Sequence, residues 1–290
     1  MENPWKDTTS EINNGEEIIV ATADLKYIKK LLNSKKYPPV DKLDDDANEE
    51  TKKAAKEKYK LRLDVYPQHF VGDIDNAKII ILSLNPGYST EYYDVYKNST
   101  NKDGTNYEQT IKENLEMERP FFHAFELASE SDLGYWGNKM KCWVKDYDNK
   151  DNDKIIKSLK KITENIALAE FFPYHSMSYN DMYDKLAKGT SPNSNRKIKD
   201  YLPTQKFLFR KIKKRIDDKN DKVIIILTRS FAKWYEAIPE LKNYENCFEV
   251  NNPNNPSLKP KNILKVTRVS VESKINNLLN DLNKEVQTQE

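Results

Sequence analysis

Ile79-Ile80-Ile81-Leu82-Ser83-Leu84-Asn85-Pro86-Gly87-Tyr88 is an apolar run that stops in a polar turn. A run this short, rich in Ile and continuous rather than alternating, predicts a strand buried on both faces, as in a parallel sheet flanked by helices. Two further runs have the same character, Ile166 to Phe172 and Val223 to Thr228. Ile263 to Val269 is weaker, and Cys247 to Val250 reads as a strand fragment. Helical spacing falls between them. Ile155, Ile156, Leu159 and Ile162 mark one helix. Pro203 opens another, with Leu208, Phe209, Ile212 and Ile216 on one face, and Val271, Ile275, Leu278, Leu279 and Leu282 mark a third. Pro120 is expected to start one more through Phe121, Phe122, Phe125 and Leu127, since proline suits a first helical turn. Strand–helix alternation of this kind predicts an α/β fold, a three-layer α/β/α sandwich around a short, mainly parallel sheet.

The first sixty or so residues read as peripheral. Ala23 to Leu32 has helical spacing, and Asp44 to Lys60 is charged with almost no apolar face. The expected organisation is an N-terminal helical extension or linker over 1–65 and an α/β domain over 66–290. The stretches Tyr92 to Gly104, Asp146 to Asp153 and Gly189 to Lys199 read as polar loops.

Composition removes several function classes. The chain of 290 residues is 32% charged, with a mean hydropathy of -0.87, and no apolar run approaches the roughly 20 residues of a membrane span. The opening Met1 to Asp7 lacks a secretion-signal pattern, so a cytoplasmic location is expected. Two cysteines, Cys142 and Cys247, do not make a four-thiolate site, and three histidines (His69, His123, His175) make a multi-histidine metal centre improbable. None of the seven glycines lies beyond Gly189, and neither G-x-G-x-x-G nor a P-loop is present, which removes the usual nucleotide-phosphate cradles. G-x-S-x-G is absent too. No cofactor and no metal are expected.

Net charge is only +2, so any nucleic-acid partner depends on local clustering. The densest basic patch is Lys206, Arg210, Lys211, Lys213, Lys214 and Arg215, which also suits a solvated helix face. Lys259, Lys261, Lys265 and Arg268 follow the second turn of interest, Asn254-Asn255-Pro256-Ser257-Leu258.

Phe70-Val71-Gly72-Asp73, followed by Ala77 to Gly87 with its Asn-Pro-Gly turn, resembles the opening of the uracil-DNA glycosylase superfamily, most of all its mismatch-specific thymine/uracil and single-strand-selective branches. Asn255-Pro256-Ser257 resembles the second motif of the mismatch-specific branch, and Val223 to Trp234 resembles the strand and helix before it. The resemblance runs in order from about Phe70 to Val269. It implies a DNA glycosylase that hydrolyses the N-glycosidic bond of a flipped or single-stranded base, with DNA as partner and no metal. It places Asn85 as the residue that orients water. Asn255 faces the leaving base or the sugar–phosphate, with Gly87 and Ser257 in the two binding loops. Leu258 stands near a wedge that fills the vacated stack, and Tyr88, Tyr92 and Phe121 are candidate stackers. Where the family's middle strand commonly ends in a base-reading Asn, this chain has Glu170. An ionised Glu has no donor, so it suits an exocyclic amine or a ring N–H rather than O4 of uracil. His175 follows in the next turn, as an acid/base group, a phosphate contact or a hydrogen-bonded structural residue.

Other readings of the same residues stand beside this one. Asn-Pro-Gly-Tyr is a good β-turn in its own right, 251–256 suits a plain Pro-rich loop, and Glu170 suits a salt bridge or helix cap. Phe125, Phe171 and Phe172 read as core. Two alternative functions remain: a glycosylase-fold protein that binds a modified base, nucleotide or DNA without cutting it, with defence against foreign DNA as one setting, and a base-modifying transferase built on Asn-Pro-Gly-Tyr.

Overall fold

In the computed structural model, residues 2–13, 15–38, 48–90, 106–122, 133–180, 183 and 201–287 are described. A six-stranded sheet forms the centre. Its strands are β3 (Phe70–Val71), β4 (Ile79–Ser83), β5 (Ile166–Glu170), β6 (Ile224–Leu227), β7 (Cys247–Val250) and β8 (Ile263–Leu264), in the order β3-β5-β4-β6-β7-β8. The four inner strands are parallel, and β3 and β8 close the two edges antiparallel.

Alternate side chains of each strand enter opposite layers, as the two-residue period of a strand requires. Ile80, Leu82, Ala167, Ala169, Ile225, Leu227 and Cys247 pack on one side. There they meet α3 (Tyr107–Glu116), α6 (Pro203–Asp217) and α7 (Phe231–Ala237). Ile79, Ile81, Ile166, Leu168, Ile224, Ile226, Phe248 and Val250 pack on the other. They meet α4 (Gly134–Met140), α5 (Asn152–Ile162) and α8 (Glu272–Gln287). Helices cover both faces, which is why the strands carry no polar alternation.

The three long strands and the helices at 152–162, 203–217 and 272–287 lie where sequence spacing puts them. Cys247–Val250 is a full inner strand rather than a fragment, and the Ile263 run contributes only two residues of strand. Residues 120–122 are not helical, so the helix expected from Pro120 does not begin there. Phe125 and Leu127 lie outside the described residues, as do the expected loops at 92–104 and 189–199.

The N-terminal region differs from the expectation of a peripheral helical extension. It carries two helices, α1 (Leu25–Leu32) and the exposed α2 (Glu49–Tyr59), but it opens with an antiparallel hairpin, β1 (Thr8–Asn13) and β2 (Glu16–Ala21). Trp5 is fully buried in the same core as β4 and α6. Asn3 Nδ2 donates to the Leu115 carbonyl at 2.7 Å. Buried Asp24 accepts from Tyr174 and Thr204, and its carboxyl is pushed up to about 6 by burial against those bonds. The segment is thus part of the packing around the sheet.

Candidate functional site

Counting only parallel strands in chain order, the sheet runs second, first, third, fourth. The connection after β5 passes over β4 to β6, so the switch point lies at the carboxyl ends of β4 and β6, where open α/β sheets leave a crevice. Asn85 follows β4, Glu170 ends β5, and Thr228-Arg229-Ser230 follow β6. Hydrogen bonds to backbone carbonyls lock the ends of β4 and β6 together. Thr228 gives both its N–H (2.8 Å) and its Oγ1 hydroxyl (2.9 Å) to the Leu82 carbonyl, and Trp234 Nε1 of α7 donates to the Ser83 carbonyl at 2.7 Å. Ser230 takes a left-handed conformation (φ 52°) to turn the chain from β6 into α7.

Glu170 stands beside Ser83 in the parallel register and is 3% exposed. Burial pushes its carboxyl up to about 8, although hydrogen bonds from the Ser83 side chain and the Leu84 backbone and the positive charge of Arg229 all pull the other way. Among the described residues, its Oε2 has no hydrogen-bond partner. The group is therefore largely neutral at pH 7. A neutral carboxyl carries one O–H donor and one carbonyl acceptor, the same pair a side-chain amide offers. The expectation of an ionised, donor-free Glu170 gives way for this reason. Arg229 is half-buried and, among the described residues, makes no hydrogen bond or ion pair.

Asn85 is held by the loop after β5. Its Nδ2 donates to Ser176 Oγ at 3.0 Å and to the Pro86 carbonyl at 3.1 Å. Because Ser176 Oγ gives its own proton to the Ser178 carbonyl at 3.0 Å, it must accept from Asn85, which fixes the amide orientation. Oδ1 is left as an acceptor with no donor among the described residues. The same loop clamps the turn along its backbone. Phe172 N–H donates to the Leu84 carbonyl (2.8 Å), Ser176 N–H to the Pro86 carbonyl (3.4 Å), and His175 Nδ1 to the Gly87 carbonyl (2.9 Å). Burial lowers His175 to about 4, so at neutral pH it is an uncharged ring that holds the turn.

The remaining expected residues are distributed differently. Gly87 is exposed, and a side chain added there would meet open space. Tyr88 is buried in the core with the Arg62 guanidinium 4.2 Å from its ring centre, so that face is already covered. Phe121 lies elsewhere: its carbonyl accepts from Gly72 N–H at 3.2 Å, and Gly72 abuts Ile166 at the amino end of β5. Tyr92 lies outside the described residues.

In the second motif, Asn255 is exposed and its Oδ1 accepts from Lys139 Nζ at 3.1 Å. Ser257 Oγ accepts from Asn262 Nδ2 at 2.9 Å. Leu258 is 1% exposed, packs in the core, and its carbonyl accepts from Trp143 Nε1 at 2.7 Å, so it is not placed as a wedge. Strand β6 separates β4 from β7, so the two motifs start from strand ends roughly 10 Å apart. Asn85 and Glu170 lie at the carboxyl ends of adjacent parallel strands; Asn255 lines a separate cleft.

Sequence reasoning missed Ser83, Ser176 and Arg229 as site residues. Ser83 alone carried a signal, as the polar interruption of an otherwise apolar strand. Of the expected basic patch, Lys211 pairs with Asp75 (2.7 Å), Lys213 with Asp217 (2.8 Å) and Glu240 (2.6 Å), and Arg215 with Asp221. Among the described residues no group of three or more His, Cys, Asp or Glu gathers for a metal, and no helix is long and apolar enough to cross a membrane. No known protein family, curated protein or solved structure matches the chain.

Proposed function

We propose that the protein takes a nucleobase of DNA, extruded or single-stranded, into the carboxyl edge of the sheet and hydrolyses its N-glycosidic bond. The observation that carries this reading is that an oriented amide, Asn85 after β4, stands next to the end of β5, where Glu170 is a buried, half-satisfied carboxyl among the described residues. Neutral Glu170, with its other oxygen engaged by Ser83 and Leu84, offers its Oε2 proton to a base carbonyl such as O4 of uracil or thymine. The Asn85 oxygen accepts from a water aimed at C1′. As the C1′–N bond breaks, its electron pair leaves with the base, and Arg229 supplies positive charge near Glu170 as the anion develops. Water adds to C1′, and the proton it loses ends on the departing base, leaving an abasic sugar. The order of the elements supports the family resemblance: Asn-Pro-Gly follows the first parallel strand, Glu170 ends the second, a helix follows the third, and Asn-Pro-Ser follows the fourth.

A second reading has its own observation. Asn85 is an amide and Glu170 is largely protonated, so neither takes a proton from water at pH 7. That favours a protein that binds the base without cutting it. One experiment separates the two. Single- and double-stranded oligonucleotides carrying uracil, mismatched thymine, hypoxanthine, xanthine or 5-hydroxymethyluracil are incubated with the protein, and abasic sites are revealed by alkaline cleavage. Release that is lost in Asn85→Ala while binding persists supports excision. Binding without release, weakened by Glu170→Ala and retained by Glu170→Gln, supports the second reading. Absence of both, from folded protein, defeats the site.

A further inference from the structure

A second cleft, of about 440 Å³, lies between α4, the helical turns at 141–143 and 147–149, and the loop around Asn255. The Trp143–Leu258 hydrogen bond ties its two walls together in the core, so the cleft is preformed. Three lysines line it, Lys139, Lys141 and Lys259. Lys139 donates to Asn255 Oδ1 (3.1 Å) and Lys141 to Asn138 Oδ1 (3.4 Å), both uncharged acceptors. None of the three forms an ion pair among the described residues. This contrasts with the 206–215 patch, where Lys211 pairs with Asp75 and Lys213 with Asp217 and Glu240. Asp148 is the single carboxylate of the lining among the described residues. Cys142 adds no charge, because burial pushes its thiol up to about 11 even with Lys259 and Lys141 nearby. Tyr147 and Ser257 complete a polar wall that suits a small charged ligand better than an apolar one.

Uncompensated lysines on a fixed frame are point charges suited to phosphate. We propose that this cleft binds the phosphate group of a nucleotide or of a nucleic-acid strand. The proposal rests on the charge of the cleft and not on the base-excising reading. Lysines 261 and 265, also without ion pairs among the described residues, continue the positive charge along the chain beyond Lys259.

The test is titration calorimetry of the full chain with inorganic phosphate, thymidine monophosphate and a single-stranded oligonucleotide, each at two salt concentrations. The Lys141→Gln/Lys259→Gln double variant is expected to bind each ligand about tenfold or more weakly. For the oligonucleotide, its log–log salt slope should fall by about 1.4, from two lost phosphate contacts. Lys53→Gln on exposed α2 is the control for general charge and should bind like the parent. Tight binding of the mononucleotide alone identifies a free nucleotide as the ligand; a strong gain with the oligonucleotide identifies a strand. The proposal is overturned if none of the three ligands binds, or if the double variant, shown by thermal melting to be folded, binds as tightly as the parent. Base release assayed in parallel with Asn85→Ala reports on the other site, so failure of one reading leaves the other intact.

Discussion

Replacing Glu170 by Gln retains a donor and an acceptor at the end of β5 but removes a titratable group. In the folded protein the carboxyl is pushed up to about 8 by burial, against an ordinary value of 4.5. Between those two values the folded state holds a proton that the unfolded chain has released, so stability falls as pH rises. The contribution is fully present below about pH 4.5 and is lost as pH passes through 8. Each pH unit in that window is worth up to roughly 1.4 kcal/mol, and the whole window on the order of 5 kcal/mol. Gln has no such loss. Urea unfolding of both proteins from pH 4.5 to 9.5 is the assay, because Asp24, His69 and His175 titrate in both and cancel in the difference. The Gln variant should gain on the parent steadily through pH 5 to 8, and the difference should level off above that. A difference that stays constant across the range would refute the claim that Glu170 is held neutral, and with it the donor role assigned to it at the end of β5.

Two further substitutions probe the frame around the site. Gly72→Ala should destabilise the protein by about 3 kcal/mol or more, read as a fall in thermal or urea midpoint. Gly72 has φ +87°, and a Cβ there would stand 2.4 Å from the Ile166 carbonyl oxygen, a backbone atom that cannot swing aside. Leu258→Ala should cost about 2–5 kcal/mol through the cavity it leaves beside Trp143, with the urea midpoint as readout. A variant of undiminished stability that had lost only duplex binding would restore Leu258 as an exposed wedge.

Much of the fold was legible because burial on both faces leaves a plain mark. Ile79 to Leu82, Ile166 to Ala169 and Ile224 to Leu227 are apolar without interruption, and each is a strand with helices on both sides. Elements that rely on partners for their burial were not legible. Phe70–Val71 is too short to show a period, and it is a strand only through its pairing with Ala169 and Leu168. The β1–β2 hairpin was hidden because Thr8 to Asn13 is largely polar and half-exposed. Helix α3 buries Thr110 and Asn114 along with Tyr107, Ile111 and Leu115; the Asn114 side chain bonds Gly72 on both its N–H (2.9 Å) and its carbonyl (3.3 Å). A buried polar residue of that kind breaks the apolar stripe by which a helix is read.

By itself the sequence determined the α/β class, the position of Asn-Pro-Gly at the end of a strand, and the presence of a carboxylic acid at the end of the next. Local propensity and hydrophobic period are enough for that, since they depend on residues close in the chain. Only the tertiary structure decided that Ser83 and Glu170 share a register, that Ser176 turns the Asn85 oxygen outward, and that Leu258 belongs to the core. It also decided that Glu170 keeps its proton at neutral pH. Registers, amide orientations and desolvation are set by groups far apart in sequence and adjacent in space, and the free energy of a buried carboxyl depends on what has replaced its water.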